Sequence, residues 1–233
     1  MGAPATVAAS GFVQHEETDE AGQVVNRASF LDGVLHGEMS SFAADGKLTA
    51  SANYDSGQLH GLLTLFDEKG EPVQEALYSR GLQHGLTRVF VEGRLLSEQR
   101  FAAGLLHGET TAYSEAGQIT MKQSFYQGEI EGATLFMNEG EIVRRLQYRS
   151  GHLEGEAFDY DRDGAVVQKS NYKANLLEGP LTRYWPDGQV MEVLLYRAGK
   201  PVGKPKRFDS KGVELREEAK AGLMQRLEKL VKG

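Results

Sequence analysis

The sequence predicts an all-β protein, an elongated single antiparallel sheet of tandem β-hairpin repeats capped by one C-terminal α-helix. Aromatic residues recur about every 12 positions, glycine-containing turn signals fall between them, and the intervening runs are five to eight residues long. Runs of that length are typical of strands rather than helices. A fixed period indicates one small unit copied many times. The series consists of Phe30, Phe42, Tyr54, Phe66, Tyr78, Phe90, Phe101, Tyr113, Phe125, Phe136, Tyr148, Tyr160, Tyr172, Tyr184, Tyr196 and Phe208.

The full repeat is two such steps, about 24 residues. Residues 1–29 are predicted to be an N-terminal segment with a degenerate capping half repeat, residues 30–213 the eight hairpin repeats, and residues 214–233 the helix. The eight copies begin at Phe30, Tyr54, Tyr78, Phe101, Phe125, Tyr148, Tyr172 and Tyr196.

Each copy carries two turn signals. One is Gly-x-x-His/Glu-Gly, and the other is a polar stretch that ends in glycine, such as Ala44-Asp45-Gly46. Asp-Gly between apolar runs favours a hairpin, because glycine adopts positive φ without steric cost. The spacing falls to 11 at Phe90–Phe101 and Phe125–Phe136, which we interpret as loops one residue shorter. The two rings of each copy are expected to form two ladders on one face of the sheet.

Near the C-terminus the apolar period changes to three or four residues, which predicts an amphipathic helix. The helix is expected to cover the last edge strand, which would otherwise template aggregation. A helix that binds a partner or lies on a membrane is the alternative. Its apolar positions are Leu215, Ala219, Leu223, Leu227, Leu230 and Val231.

Composition bounds the class of protein. The chain has 233 residues, 40% of them hydrophobic, with no cysteine and a net charge of −7. No run of 18 apolar residues exists, so no transmembrane segment is expected. Residues 1–116 hold 16 acidic and 7 basic side chains, whereas residues 117–233 hold 17 and 19. The acidic half argues against nucleic acid and suits a partner with a basic surface.

The location of the protein stays open between cytoplasm and periplasm. Residues 1–10 are too short and uncharged for a complete export signal, although a signal removed upstream would be compatible with them.

His36, His60, His84 and His107 occupy the same position in four consecutive copies. Equivalent positions in adjacent copies lie about 9–10 Å apart, whereas Zn–N bonds are about 2.0–2.1 Å long, so no two of these rings can share a metal. Later copies carry glutamate at this position. We therefore predict that the residue fixes the turn by hydrogen bonding and that the protein has no metal or cofactor site.

No catalytic constellation is present in the sequence. It has no nucleophile elbow, no phosphate-binding loop and no His-Glu-x-x-His motif. The repeats and the predicted helix occupy nearly the whole chain, which leaves no room for a catalytic domain. We expect a protein that is not an enzyme.

The pattern Tyr-x-x-Gly-x-Leu-x-Gly, followed by a second ring and a further glycine, resembles the MORN repeat from Phe30 to Gly212. It is most similar to the bacterial variant form of the YwqK-like antitoxin group. Departures are Asn175 in place of a turn glycine and Val202 in place of His or Glu. The resemblance implies a hairpin array that binds another protein.

Three classes of function follow. The first is an antitoxin or immunity protein that binds and neutralises a toxin or secreted effector, as the resemblance implies. The second is a structural or assembly scaffold. The third, which the sequence favours less, is a peripheral lipid-binding module.

The predicted partner-binding residues are Trp185, Arg183, Lys206 and Arg207. Trp185 is the only tryptophan and directly follows Tyr184, so strand alternation turns it to the opposite face or into the next turn. Tryptophan and arginine are enriched among the side chains that dominate interface energies. The alternative is that Trp185 packs on the neighbouring hairpin and contributes only to stability.

Overall fold

The computed structural model describes residues 11–215. This part of the chain is built from β-strands and turns and contains no helix, which confirms the all-β class. The strands are β1 Phe12–Thr18, β2 Val24–Leu31, β3 Val34–Phe42, β4 Leu48–Asp55, β5 Gln58–Phe66, β6 Pro72–Ser79, β7 Leu82–Val91, β8 Arg94–Ala102, β9 Leu105–Leu106, β10 Gly108–Tyr113, β11 Ile119–Tyr126, β12 Glu129–Asn138, β13 Glu141–Arg149, β14 His152–Leu153, β15 Gly155–Tyr160, β16 Val166–Lys173, β17 Leu176–Leu177, β18 Gly179–Tyr184, β19 Val190–Arg197 and β20 Lys200–Arg207.

The chain forms two compact units, the first ending at Glu129 and the second beginning at Ile130. In each unit, strands that follow one another along the chain pair antiparallel, as the tandem-hairpin prediction requires. The two-residue strands β9, β14 and β17 each precede a β-bulge, after which the following strand continues beside the same partner.

The Gly-x-x-His/Glu-Gly signal begins with a two-residue turn. At the β4–β5 turn, Ser56 and Gly57 both have positive φ, 51° and 79°. This is the conformation of a type I′ turn, whose twist matches that of the flanking strands. Asn175 replaces glycine in one such turn and still adopts a φ of 68°. Asparagine is among the few residues that tolerate this region, so the turn is retained.

The other signal forms a three-residue loop. The Gly70 N–H donates to the Asp67 carbonyl at 3.0 Å, and the Asp67 N–H donates to the Glu71 carbonyl at 2.9 Å. The Asp67 carboxylate accepts from the backbone N–H groups of Lys69 and Glu71. The bond from the Glu71 N–H is the main cause that lowers the pKa of Asp67. The local sequence therefore closes this turn with its own side chain.

The two shorter loops are two-residue turns, at Glu92-Gly93 and Glu139-Gly140. The first follows Phe90, as predicted. In the second, the side chain that pairs across the loop at the ring position is Met137, opposite Ile142. Phe136 lies one residue earlier and pairs with Arg144. The prediction that Phe136 belongs to the ring series is therefore wrong. The residue by which this copy is shorter is missing from the turn, after the ring position, rather than from the strand before it.

We call the face that carries the first ring of each copy the front face, and the opposite one the back face. Tyr54, Ala52 and Ala50 alternate along β4, and Ala50 pairs with Leu65 of β5. Phe66 follows Leu65, so alternation places it on the back face. The two ring series therefore lie on opposite faces, and the prediction of two ladders on one face is wrong.

Small side chains on the front face form the most buried row of each unit. In the first unit, Ala52, Ala76 and Thr87 are buried, and they pair with longer side chains such as Leu63. In the second unit, Thr134 and Ala157 hold the same place. A single sheet layer can bury only small residues between larger neighbours, which explains why no large apolar side chain of the described residues is fully buried.

The last described residues continue the β-structure. Phe208 forms a bridge with Glu214, and the Leu215 N–H donates to the Arg207 carbonyl at 2.8 Å. The helix predicted for residues 214–233 falls on residues outside the described range from 216 onwards.

Candidate protein-binding surfaces

The column of His and Glu residues binds the turn of the following copy. The Glu154 carboxylate accepts from the Ala174 N–H at 2.8 Å, and the Glu178 carboxylate accepts from the Ala198 N–H at 2.7 Å. Glu131 does the same for Ser150, and the ring nitrogen of His36 accepts from the Ser56 N–H at 3.4 Å. Turn fixing by hydrogen bonding is confirmed at these four positions. The residues that they hold are the first residues of type I′ turns.

A second bond joins the same turns through the backbone. The Gly57 N–H donates to the Leu35 carbonyl at 2.8 Å, and the Asn175 N–H donates to the Leu153 carbonyl at 3.0 Å. Equivalent bonds join Gly81, Gly104, Gly128, Gly151 and Gly199 to the preceding copy. The repeat that these bonds delimit therefore runs from two residues after one turn glycine to the first residue of the next turn.

Three segments of that extent match the family model described as MORN repeat variant, residues 35–56, 153–174 and 177–198. These three segments are similar to MORN repeats of the variant type. Each matched segment begins at the carbonyl that accepts the turn-to-turn bond and ends at the residue held by His or Glu. No curated protein matches the chain.

Two features of the described residues bear on ligands. Among residues 11–215, no three His, Asp or Glu side chains converge in a group that could hold a metal ion. Within the same residues, no helix is long and apolar enough to cross a membrane.

The central part of the front face of the first unit carries no charged side chain from β2 to β11. The one charged strand residue on this face, Arg94, pairs with Val91 at the turn end of β8 and lies at the margin. The residues of the central part are aliphatic, aromatic, hydroxyl-bearing or amide-bearing, and the buried Thr110 hydroxyl has no hydrogen-bond partner among the described residues. We call this surface the neutral face. It comprises Asn26, Ala28, Phe30, Leu35, Met39, Ser41, Ala50, Ala52, Tyr54, Leu59, Leu63, Leu65, Gln74, Ala76, Tyr78, Gln83, Thr87, Val89, Ser97, Gln99, Phe101, Leu106, Thr110, Ala112, Met121, Gln123 and Phe125.

The charges of these strands lie on the back face instead. Arg88 contacts Glu98 at 3.0 Å and Glu75 at 3.7 Å, and the Tyr113 hydroxyl donates to Glu98 at 3.0 Å. The hydrogen bond from Arg88 is the main cause that lowers the pKa of Glu98. Desolvation, followed by the hydrogen bond to Glu98, raises the pKa of Tyr113. The two faces of one sheet thus differ sharply in polarity.

The front face of the second unit, in contrast, carries charged side chains. Six side chains from six strands form a chain of hydrogen bonds, which we call the polar ladder. Arg144 donates to Asp159, Gln168 donates to Asp159 at 3.1 Å, Arg183 donates to Gln168 at 3.2 Å and to Glu192 at 3.4 Å, and Arg207 donates to Glu192 at 2.8 Å.

Burial within the polar ladder differs between its acids and its arginines. The Glu192 side chain is 15% exposed and the Asp159 side chain 22% exposed, whereas Arg183 and Arg207 are 50% and 62% exposed. The guanidinium groups therefore cover the carboxylates and form the outer surface. Exposed guanidinium groups can add further bonds to a carboxylate or to a peptide carbonyl of a partner.

The structure brings together two of the four predicted site residues. Arg183 and Arg207 both bind Glu192 in the polar ladder. Trp185 is half-buried at the start of a turn, and its indole N–H donates to the Phe208 carbonyl at 3.2 Å. Lys206 pairs with Val193 and so lies on the back face, away from the two arginines.

The remaining members of the polar ladder were not anticipated from the sequence. Arg144, Asp159, Gln168 and Glu192 stand at one position of successive strands, but no local motif marks them. In the repeat they occupy two positions, one directly before the second ring of a copy and one four residues before the first ring of the next copy.

Proposed function

We propose that this MORN repeat protein is a non-catalytic binding module and that it acts as an antitoxin or immunity protein, which binds and neutralises a toxin or secreted effector. The observation that carries the binding role is the neutral face. The centres of protein–protein interfaces are depleted of charged residues and enriched in aromatic residues and methionine. A surface that spans ten strands without a charge at its centre has that composition, while the opposite face of the same strands carries most of the charges.

The toxin-neutralising role is supported by the resemblance to the antitoxin group and by the acidic first half of the chain, which suits a basic partner. A structural or assembly scaffold is the second candidate. It is favoured by the regular turn-to-turn bonds, which join each copy to the next one. A lipid-binding module is a weaker third candidate.

The direct test expresses the protein together with the product of each neighbouring gene. Rescue of growth by the intact chain, with co-purification of the two proteins, supports the antitoxin role. A stable complex without any toxicity to rescue points to the scaffold. Flotation with liposomes in the absence of any protein partner points to the lipid-binding module.

Within this proposal, Trp185, Arg183 and Arg207 contact the partner, and Lys206 contributes from the back face. With such a partner in hand, Trp185→Ala is expected to weaken binding by about 2 kcal/mol or more, the range of interface hot spots. The matched variant is Trp185→Phe, which keeps a ring and loses only the bond to Phe208. A large loss of thermal stability in both variants, with unchanged affinity of the folded fraction, would show that Trp185 is purely structural.

A further inference from the structure

The first strand of the first unit has an open edge. All seven residues of β1 are exposed, and Phe12 and Val13 are 67% and 63% exposed. Among the described residues, β1 pairs only with β2. Its sequence, Phe-Val-Gln-His-Glu-Glu-Thr, contains no proline, lysine or arginine. It therefore lacks the lysines and prolines with which natural edge strands most often prevent the addition of another strand, and its charged residues are Glu16 and Glu17.

The direction of each backbone group along this edge follows from the turn that ends it. The Asp19 N–H donates to the Gln23 carbonyl, toward β2. Because successive N–H groups of a strand point to opposite sides, those of Glu17 and His15 also point to β2. The N–H and carbonyl groups of Gln14 and Glu16 point outward. They form a row of donors and acceptors that no other described strand uses.

The last strand shows the opposite design within the same chain. Strand β20 carries Pro201 and Pro205 together with three lysines and an arginine. The Leu215 N–H donates to the Arg207 carbonyl, so odd-numbered residues near Arg207 face outward and Pro205 has no donor there. Pro201 adjoins the closing pair Arg197–Lys200 of a two-residue turn, so its nitrogen also faces outward. The contrast shows that β20 is protected and that β1 is not.

Charge selects what can pair with β1. The first hairpin, residues 11–31, holds four acidic side chains and one basic side chain, and Arg27 is already bound to Glu16 at 2.8 Å. A second copy would bring two such hairpins together, and their like charges would repel. We propose that β1 is a docking edge for a strand of another protein that bears lysine or arginine side chains, which adds antiparallel or parallel to β1 through the outward groups of Gln14 and Glu16.

The inference rests on the proposed function only in taking the partner to be a protein. The strand would contribute main-chain hydrogen bonds as affinity, and its basic side chains would contribute selectivity toward Glu16, Glu17 and Glu20. This site uses no residue of the neutral face or of the polar ladder. A partner that uses the neutral face could therefore be bound without the edge, and the experiment below addresses the edge alone.

The test uses the full chain and two synthetic octapeptides, one alternating lysine with valine and one alternating glutamate with valine, both with blocked ends. Amide hydrogen exchange of Gln14 and Glu16 is followed by NMR, and affinity by titration. In the free protein these two amides are expected to exchange rapidly. The lysine peptide should slow their exchange by at least tenfold, and the glutamate peptide should not.

Gln14→Pro removes one outward donor and leaves the bonds to β2 in place, since proline is tolerated where a strand faces solvent. It should weaken binding of the lysine peptide at least tenfold, whereas the matched variant Gln14→Ala should keep it. Equal binding to Gln14→Pro would show mere charge attraction and overturn the proposal. So would protection of both amides in the free monomer, which means that residues 1–10 occupy the edge. A dimer that Gln14→Pro dissociates would identify a second copy as the occupant and would equally overturn it.

Discussion

Removal of Glu192 tests whether the polar ladder stabilises the second unit. Glu192 accepts from Arg207 at 2.8 Å and from Arg183 at 3.4 Å, and its side chain is only 15% exposed. A hydrogen bond to a charged group contributes about 1.5–3 kcal/mol when buried. Both arginines are at least half exposed, so solvent screening reduces that figure. We expect Glu192→Ala to lower the free energy of unfolding by about 1–2 kcal/mol.

Glu156→Ala is the matched control. Glu156 contacts Lys169 at 2.6 Å, a shorter distance than either contact of Glu192, but it is 54% exposed and belongs to a single pair. Exposed pairs contribute about 0–1 kcal/mol, so this variant should cost less than about 0.5 kcal/mol. The comparison therefore tests whether burial and the number of partners, rather than the contact distance, determine how much each carboxylate contributes to the free energy of unfolding.

Trp185 provides the assay for both variants. It is the only tryptophan of the chain, and its indole binds Phe208 on the last hairpin, so its fluorescence reports the unfolding of that region. With a urea slope of about 2 kcal/mol per molar, the middle of the usual range for small proteins, Glu192→Ala should lower the midpoint by about 0.5–1 M. If Glu156→Ala shifts the midpoint as much as Glu192→Ala does, the reasoning from burial fails.

Two further predictions concern the turns and the back face. The Glu178 carboxylate accepts from the Ala198 N–H at 2.7 Å, so Glu178→Ala should speed amide hydrogen exchange at Ala198. Glu178→Gln should restore most of the protection. An unchanged exchange rate in both variants would mean that solvent replaces the side chain at no cost. The bond from Arg88 lowers the folded pKa of Glu98 below the unfolded value of about 4.3, so the resulting stability is complete above that pH and is lost as the pH falls through the folded pKa. Glu98→Gln should therefore flatten the decline of stability in acid, as measured by urea unfolding between pH 6 and pH 3; a decline as steep as that of the unmodified chain would contradict it.

The sequence was sufficient for the hairpins, because each turn is closed by residues within it. Asp67 bonds to its own loop, and Gly57 supplies the positive φ that its turn needs. Such local chemistry is readable without knowledge of distant contacts. The fixing of turns by His36, Glu131, Glu154 and Glu178 could also be predicted, since His or Glu recurs at this place in seven copies.

The faces were harder to predict, because one residue more or less in a strand exchanges its two faces. Aromatic character made Phe136 look equivalent to Phe90, whereas the turn geometry gives that place to Met137. The polar ladder could not be predicted for a related reason. Arg183 and Glu192 bond across strands, and the register that joins them depends on bulges that have no distinct sequence signal.

The turn-to-turn bonds have a consequence for how such a chain can change its length over evolutionary time. Each copy offers an acceptor, such as Glu178, to the copy that follows and receives one from the copy before. Unequal recombination that adds or deletes a whole copy therefore leaves every remaining donor with an acceptor. Copy number is thus a heritable variable that selection can adjust without inventing a new contact.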